Sequence, residues 1–545
     1  MNAVRVTKGV AQGVAGAAAL IAVLTLLARL AGFGRTLVFT NTVGADSTGD
    51  TYLAANNVPN IIFEVVAGGA LAGLVVPMLA GGIAAGNRDQ VRRTASALLG
   101  WTLLVLTPLA VLVALLAEPI ARLLLGNGGD AQVALAARFL LVFAPQVVLY
   151  GIGIVLTGVL QAHRRFAGPA VAPLLSSLVV AGAYLLFAAI GGSPDAADLS
   201  TPAELALGVG TTLGVVALTL SLLVPMRGLR LGLRPTLRFP VGAAPRVRRL
   251  ALAGVLTLAG QQLVAAVAIR LANDGTPDGT QVVYAAGLTL FLVPWAALAV
   301  PLATSAYPGL AEHAEAGDED GFGRVLAPVT VLVLAACAVA AAVLIAVAGP
   351  MARVFLSSGS DTTVAALRDT TLAFAPGLVG YGLVAVLTRA LYARGLWKAP
   401  TVCVVGGWLL AVVADVVLAG VLPPENRALA LGAGHSLGVT VTGAALLVVV
   451  GRVAGRPALR GVPHAGLSAV LAAVLAAAAG WSVSRALGAD PVPTDGVLAA
   501  IGVGTLAAGA VLVVALAVMM GTARGPLGSA LRELRSSGRQ EVHGG

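Results

Sequence analysis

Charge is scarce in this sequence: 11% of its 545 residues are Asp, Glu, Lys or Arg, against 58% hydrophobic. Soluble domains carry about a quarter charged residues, so an ordinary soluble fold is excluded. Cysteine is scarcer still. Cys337 and Cys403 are the two present, both inside apolar runs; this excludes a disulfide framework or thiolate metal centre and leaves two core thiols. Lysine also occurs twice, as Lys8 and Lys398, and neither follows a glycine. A P-loop needs Gly-Lys-Ser/Thr to cradle phosphates, so Walker-type ATP hydrolysis is excluded. His163, His313, His435, His464 and His543 are scattered, with no HExxH and no Cys/His cluster, which removes the usual zinc chemistry. No polar stretch is long enough for a soluble catalytic domain. The chain is expected to be a non-enzyme with no cofactor and no metal site.

What is abundant is apolar sequence in runs of membrane-spanning length, expected to form an all-α polytopic membrane protein. Hydropathy places fourteen spans near 13–43, 50–85, 92–117, 132–162, 166–191, 202–225, 249–273, 280–309, 325–349, 363–393, 399–422, 427–451, 464–486 and 495–521. Arg5 and Lys8 precede the first run as in a signal peptide, but the run continues past position 28 with no cleavage site, predicting a retained helix. The net charge of +10 invites a nucleic-acid partner. The basic residues, however, lie in short loops, where they act as topology signals and attract anionic headgroups. Arg227, Arg230, Arg234, Arg238, Arg246, Arg248 and Arg249 crowd the connection between the sixth and seventh spans. Their asymmetry predicts a multi-pass protein with both termini in the cytoplasm.

An internal repeat organises the chain. FAPQVVLYGIGIVLTGVLQAHRRFAGP (143–169) aligns without a gap to FAPGLVGYGLVAVLTRALYARGLWKAP (374–400). Phe143, Pro145, Tyr150, Gly151, Thr157 and Pro169 recur as Phe374, Pro376, Tyr381, Gly382, Thr388 and Pro400, at an offset of 231 (374 − 143). The same offset carries Ala54-Ala55 to Ala285-Ala286 and Pro77 to Pro308. Six spans per copy is even, so both copies insert the same way round, related by a pseudo-two-fold along the membrane normal with substrate between them. The expected organisation is a six-helix bundle at 1–227, a basic linker at 228–248, a second bundle at 249–453, two extra helices at 454–522 and a basic tail at 523–545.

The polar residues concentrate in RLAGFGRTLVFTNTVGADSTGDTYLAANNVPNIIFEVVAGGALAGLVVPMLA, residues 29 to 80. Arg29, Arg35, Asp50, Asn56, Asn57, Asn60 and Glu64 sit there between apolar runs. Such groups at membrane depth face a wet cavity or the protein interior. Arg29 and Arg35 facing an anionic substrate competes with Arg35 snorkelling to the interface and Arg29 pairing with an acid. Asp50 stands where a helix cap would, and Glu64 fits a structural ion pair as well as a substrate role. Pro59, Pro77 and Pro308 are candidate hinges. Arg270, near the end of the seventh span, is a further candidate for the cavity. Asp415, isolated in WLLAVVADVVLAG, is a candidate ion-coupling acid or a satisfied buried one. His435 has polar neighbours and reads as packed.

Residues 28–78 resemble the MurJ/MviN family of lipid II flippases, within a superfamily that includes multidrug and polysaccharide exporters. The resemblance rests on Ala28-Arg29, Gly32-Phe33-Gly34-Arg35, Val43-Gly44-Ala45, Asp50-Thr51-Tyr52, Val58-Pro59-Asn60, Gly69-Ala70 and Val76-Pro77. It extends through the fourteen spans and includes Leu387-Thr388-Arg389-Ala390-Leu391-Tyr392-Ala393. Two departures stand out: Phe63-Glu64 stands where many members carry Arg-Arg, and Ala286-Gly287 where many carry Asp-Arg.

The resemblance implies a bacterial inner-membrane flippase for an undecaprenyl-diphosphate-linked peptidoglycan precursor, working by alternating access. Arg29, Arg35 and Asp50 match charged positions that the family needs, and the last two helices would groove the prenyl tail. Energy is expected from a cation gradient (Na+ or H+) or the membrane potential. A drug or metabolite exporter of the same superfamily is the alternative. A scaffold recruiting cell-wall proteins through Arg524, Arg532, Arg535 and Arg539 is a third reading.

Overall fold

The computed structural model describes residues 23–65, 72–238, 243–489 and 496–522; the basic tail and the first part of the retained N-terminal run lie outside them. The chain divides into two compact units, Met1–Gly275 and Thr276–Gly545.

The first unit holds α1 (Val23–Thr42), α2 (Ser47–Phe63), α3 (Ala72–Ala84), α4 (Arg88–Leu115), α5 (Ala117–Leu125), α6 (Asp130–Ala162), α7 (Ala167–Ala189), α8 (Thr201–Arg227) and α9 (Ala243–Ala272). α6 is its central post, packing against α2, α3, α4, α5 and α8. Val75, Leu79, Val91, Leu98, Val155, Val159 and Leu222 form a buried core where these helices meet. α9, which opens the second repeat by sequence, groups with the first unit and packs on α2, α3 and α5.

The 6/7 connection begins as a strap without regular secondary structure. Leu229 and Leu231 are buried in that same core. The amides of Arg234 and Thr236 donate to Ser96 Oγ and O at 3.1 Å, and Trp101 Nε1 donates to Leu237 O at 3.0 Å. A Cβ at Gly100 would lie 2.2 Å from Thr236 O, so only glycine admits the strap against α4.

The second unit holds α10 (Thr280–Pro294), a π turn at Trp295–Ala299, α11 (Val300–Glu315), α12 (Glu319–Phe355), α13 (Asp361–Phe374), α14 (Gly377–Ala393), α15 (Lys398–Val421), α16 (Arg427–Val453), α17 (Val462–Ala486) and α18 (Val497–Thr522). Asp318 caps α12 by accepting from Gly321 N, and Glu319 and Asp320 follow in the first turn, where acids complement the helix dipole. α17 and α18 pack on α12 through Ala342, Ala346, Ala476, Ala477, Ala507 and Ala515. Small side chains let helix backbones approach closely, which drives association where no hydrophobic effect operates. The outer face of α18 leaves Leu498, Leu506, Val513 and Leu516 exposed, as a lipid-facing helix does.

Among the described residues, eleven helices are long and apolar enough to cross a membrane, or twelve if the bent pair α13 and α14 is one span. A helix lies on each of the fourteen apolar stretches, but α2 and α3 are each shorter than a span. The repeat also diverges. α6 runs straight through Pro145, whereas its counterpart breaks by 45° between Phe374 and Gly377, at Pro376. Gly377 follows that proline where the first copy has Gln146, and a Cβ there would sit 2.8 Å from Ser436 Cα. The break brings α14 backbone-close to α16. Helices continue through Pro59 and Pro308, and α3 is unbroken at Pro77.

Candidate functional site

The polar stretch of α1 and α2 meets a hydroxyl cluster inside the first unit. Tyr52 is fully buried. Its hydroxyl lies 2.9 Å from Tyr184 Oη and 2.7 Å from Thr211 Oγ1, and Thr211 Oγ1 donates to Leu207 O at 2.6 Å. A threonine hydroxyl has one proton, so Tyr52 must donate to Thr211, and Tyr184 to Tyr52. Phe39, Phe139 and Phe143 surround the Tyr52 ring at 5.4–5.9 Å. Arg35, half-buried on α1, is within electrostatic reach of Tyr52, Tyr150 and Tyr184. Arg29, a turn and a half earlier, is exposed. The structure therefore sets Arg35 against the hydroxyls and leaves Arg29 outside that cluster.

Asp50 is buried, 4% exposed, in the first turn of α2. It is not the cap: Asp46 is, accepting from Gly49 N at 3.0 Å. Asn57 and Asn60 donate to their own helix at Leu53 O and Asn56 O, both at 2.8 Å. Asn60 Oδ1 also accepts from Tyr150 Oη at 3.1 Å, beneath a Phe63–Tyr150 ring contact at 4.5 Å. Asn56 is half-buried, and Glu64 is exposed where α2 ends in a π turn. Arg270 is paired with Asp274 at 2.8 Å, packed over Gly126 beside α5.

The second unit has its own buried polar centre. Asp415 is 1% exposed, and neither carboxylate oxygen has a hydrogen-bond partner among the described residues. It lies against Gly434, where a Cβ would come within 2.0 Å of Oδ1, and within electrostatic reach of Tyr284. His435 follows, ringed by Phe291, Phe374 and Trp408 at 5.4 Å, with Nε2 also unpartnered. Through the offset of 231, Asp415 stands where the first copy has Tyr184 (184 + 231).

Sequence reasoning missed two things here. Gly434-His435-Ser436-Leu437-Gly438 spells Gly-x-Ser-x-Gly, which marks a hydrolase nucleophile only at a strand-to-helix turn. It lies mid-helix in α16, where buried Ser436 donates to Phe374 O at 3.1 Å, so it is packing. The Tyr52–Tyr184–Thr211 chain was also missed. Its one available signal was that three of the seven tyrosines fall in the apolar runs of the first half. Among the described residues no group of His, Cys, Asp and Glu could hold a metal ion.

Two units of long apolar helices, with Asp50 and Asp415 buried inside them, define a polytopic helical membrane protein. Solved structures share this fold. One titled "Lipid II flippase MurJ, inward closed conformation" superposes with a TM-score of 0.70 at 17% identity, covering 92% of this chain and 99% of that one. An inward-facing multidrug resistance MATE family transporter of the MOP superfamily gives 0.65 at 13%, covering 82% and 99%. The family model described as "Lipid II flippase MurJ" matches residues 39–490, and the chain belongs to that family. Curated relatives include the lipid II flippase MurJ of Burkholderia cenocepacia, 26% identical over 76% of this chain and 80% of the relative. The probable lipid II flippase MurJ of Rhizobium tropici is 27% identical over 69% and 70%.

Proposed function

We propose that this protein is a flippase of the bacterial cytoplasmic membrane that moves a lipid-linked peptidoglycan precursor to the outer leaflet by alternating access. The observation that carries this reading is the family match, which runs unbroken from the hydroxyl cluster to the end of α17. Arg35 binds the diphosphate, because a guanidinium fork matches phosphate oxygens. Arg29, exposed on the same helix, meets the anion before Arg35 does. Asp50, Asn56, Asn57 and Asn60 contact sugar or gate the site, and Glu64 and Arg270 flank it. The α17–α18 pair takes the prenyl tail. Asp415, buried without a partner, is the acid through which a coupling cation, Na+ or H+, resets the transporter. Fourteen spans with both termini in the cytoplasm complete the proposal, and its partners are the precursor and membrane lipids.

Complementation tests this. A flippase-depleted bacterium carries wild type, Arg29→Ala, Arg35→Ala or the double variant at matched membrane levels. Rescue by wild type and failure of Arg35→Ala support the reading. Failure of wild type, or rescue by the double variant, returns the chain to the exporter class.

A further inference from the structure

The two copies of the repeat treat one corner of their fold differently. In the first unit the α3–α4 turn, the α6–α7 turn and the end of α8 border a half-open cavity of about 250 Å³. Gly82, Gly86, Arg88, Val91, His163 and Leu229 are among its lining residues, and none of the lining residues is acidic. Arg88 donates to Leu229 O at 2.8 Å. His163 caps α6, with Nδ1 2.8 Å from Val159 O, so Nδ1 carries a proton and Nε2 is left for another partner.

The offset of 231 places Glu319, Phe322 and Arg394 at the positions of Arg88, Val91 and His163 (88, 91 and 163, each + 231). The local backbone is the same in both copies. Asn87 and Asp318 both cap the following helix, accepting from Gln90 N and Gly321 N. Arg164 and Gly395 both turn with positive φ, at 58° and 72°. In the second unit the corner is filled. Arg394 pairs with Glu319, lies 4.2 Å over the Phe322 ring and reaches toward Val453 O.

The first copy thus has a basic side chain where the second has a carboxylate, an imidazole where it has a guanidinium, and a valine where it has the phenylalanine that fills the space. We propose that this cavity is a site for an external phosphate group, which takes the place of the missing internal carboxylate. Arg88 is its charged donor, with the His163 ring lining the site beside it, and charge-assisted bonds to phosphate oxygens are the strong kind. The phosphate belongs to a lipid headgroup or to a free phosphate; the chemistry is common to both. The site is separate from Arg35 and the hydroxyl cluster, so it does not depend on the transported substrate.

The experiment compares wild type with Arg88→Gln/His163→Gln and with Arg88→Glu/His163→Arg, which installs the second copy's ion pair. Purified protein is probed by native mass spectrometry with short-chain phosphatidic acid, and by melting temperature against inorganic phosphate, with phosphatidylcholine and sulfate as controls. Binding should weaken roughly tenfold in the Gln variant, as the Arg88 charge and the His163 ring are lost. The Glu/Arg variant should melt at or above wild type yet bind neither probe, which separates lost binding from lost folding. A lipid response lost in both variants supports the site and names a headgroup; a phosphate response lost in both supports it and names a free anion. No response to either probe, or a response unchanged in the variants, overturns the proposal.

Discussion

Replacing Tyr52 by Phe removes one oxygen from the fully buried chain Tyr184–Tyr52–Thr211. The ring stays, so the aromatic packing with Phe139 and Phe143 at 5.8 and 5.9 Å survives. What is lost is direction-specific. Thr211 commits its proton to Leu207 O, so Tyr52→Phe strands both the Tyr184 proton and the Thr211 acceptor. A buried polar group without a partner costs about 1–3 kcal/mol, so the pair costs on the order of 2–4 kcal/mol. Tyr184→Phe takes away only a bond that Tyr52 accepts, while Tyr52 keeps its own donation; that is worth about 0.5–1.5 kcal/mol. The double variant strands no tyrosine proton, and its cost should fall below the sum of the singles by about 1 kcal/mol. Unfolding in detergent, followed by intrinsic fluorescence, measures all three. Tyr184→Phe costing as much as Tyr52→Phe, or strict additivity, would refute the assigned hydrogen-bond direction.

Four further outcomes are expected. Gly380→Ala would place a Cβ 2.5 Å from Thr440 Cα and 2.7 Å from Val439 O; backbone cannot swing aside, so a loss of about 1–3 kcal/mol or more should appear as a lower melting temperature. Gly406→Ala, with nothing within 4 Å, should instead be neutral or stabilising by up to about 1 kcal/mol. Gly100→Ala should displace the strap after α8, so trypsin should cut at Arg238 faster than in wild type, with α8 itself still resistant. Asp318 is held below its ordinary value of 3.8, first by the Gly321 N–H and then by His313 and Arg324. A depressed carboxylate contributes stability above its unfolded value that is lost as pH falls through the folded one; melting temperature in acid should therefore decline less steeply in Asp318→Ala than in wild type, and an equal slope would count against it.

Much of this architecture is legible in the sequence because apolar run length and the 231-residue repeat are covalent facts. What was hidden depends on tertiary neighbours. Asp46 and Asp50 are four residues apart and both suit an N-terminus; which one caps is settled by the extended backbone at Asp46, φ −148° and ψ −173°. Pro145 and Pro376 are equivalent in sequence, yet only the second breaks its helix, because Gly377 lets α14 close on Ser436. The basic 6/7 connection was read as a topology signal alone. Its Leu229-Arg230-Leu231-Gly232-Leu233 run sets apolar residues among basic ones, and the burial of Leu229 and Leu231 went unread. The hydroxyl chain around Tyr52 could not be read from sequence, since its members lie 132 and 159 residues apart.

The most direct test is translocation itself. Purified protein is placed in vesicles with a fluorescent undecaprenyl-diphosphate-linked precursor, and the fraction reaching the far leaflet is followed by a membrane-impermeant quencher. Wild type should equilibrate the probe, Arg35→Ala should slow it about tenfold or more through loss of a charged phosphate contact, and a monophosphate lipid should move less well than the diphosphate. Equal rates for wild type and Arg35→Ala, or no movement above protein-free vesicles, would contradict the account.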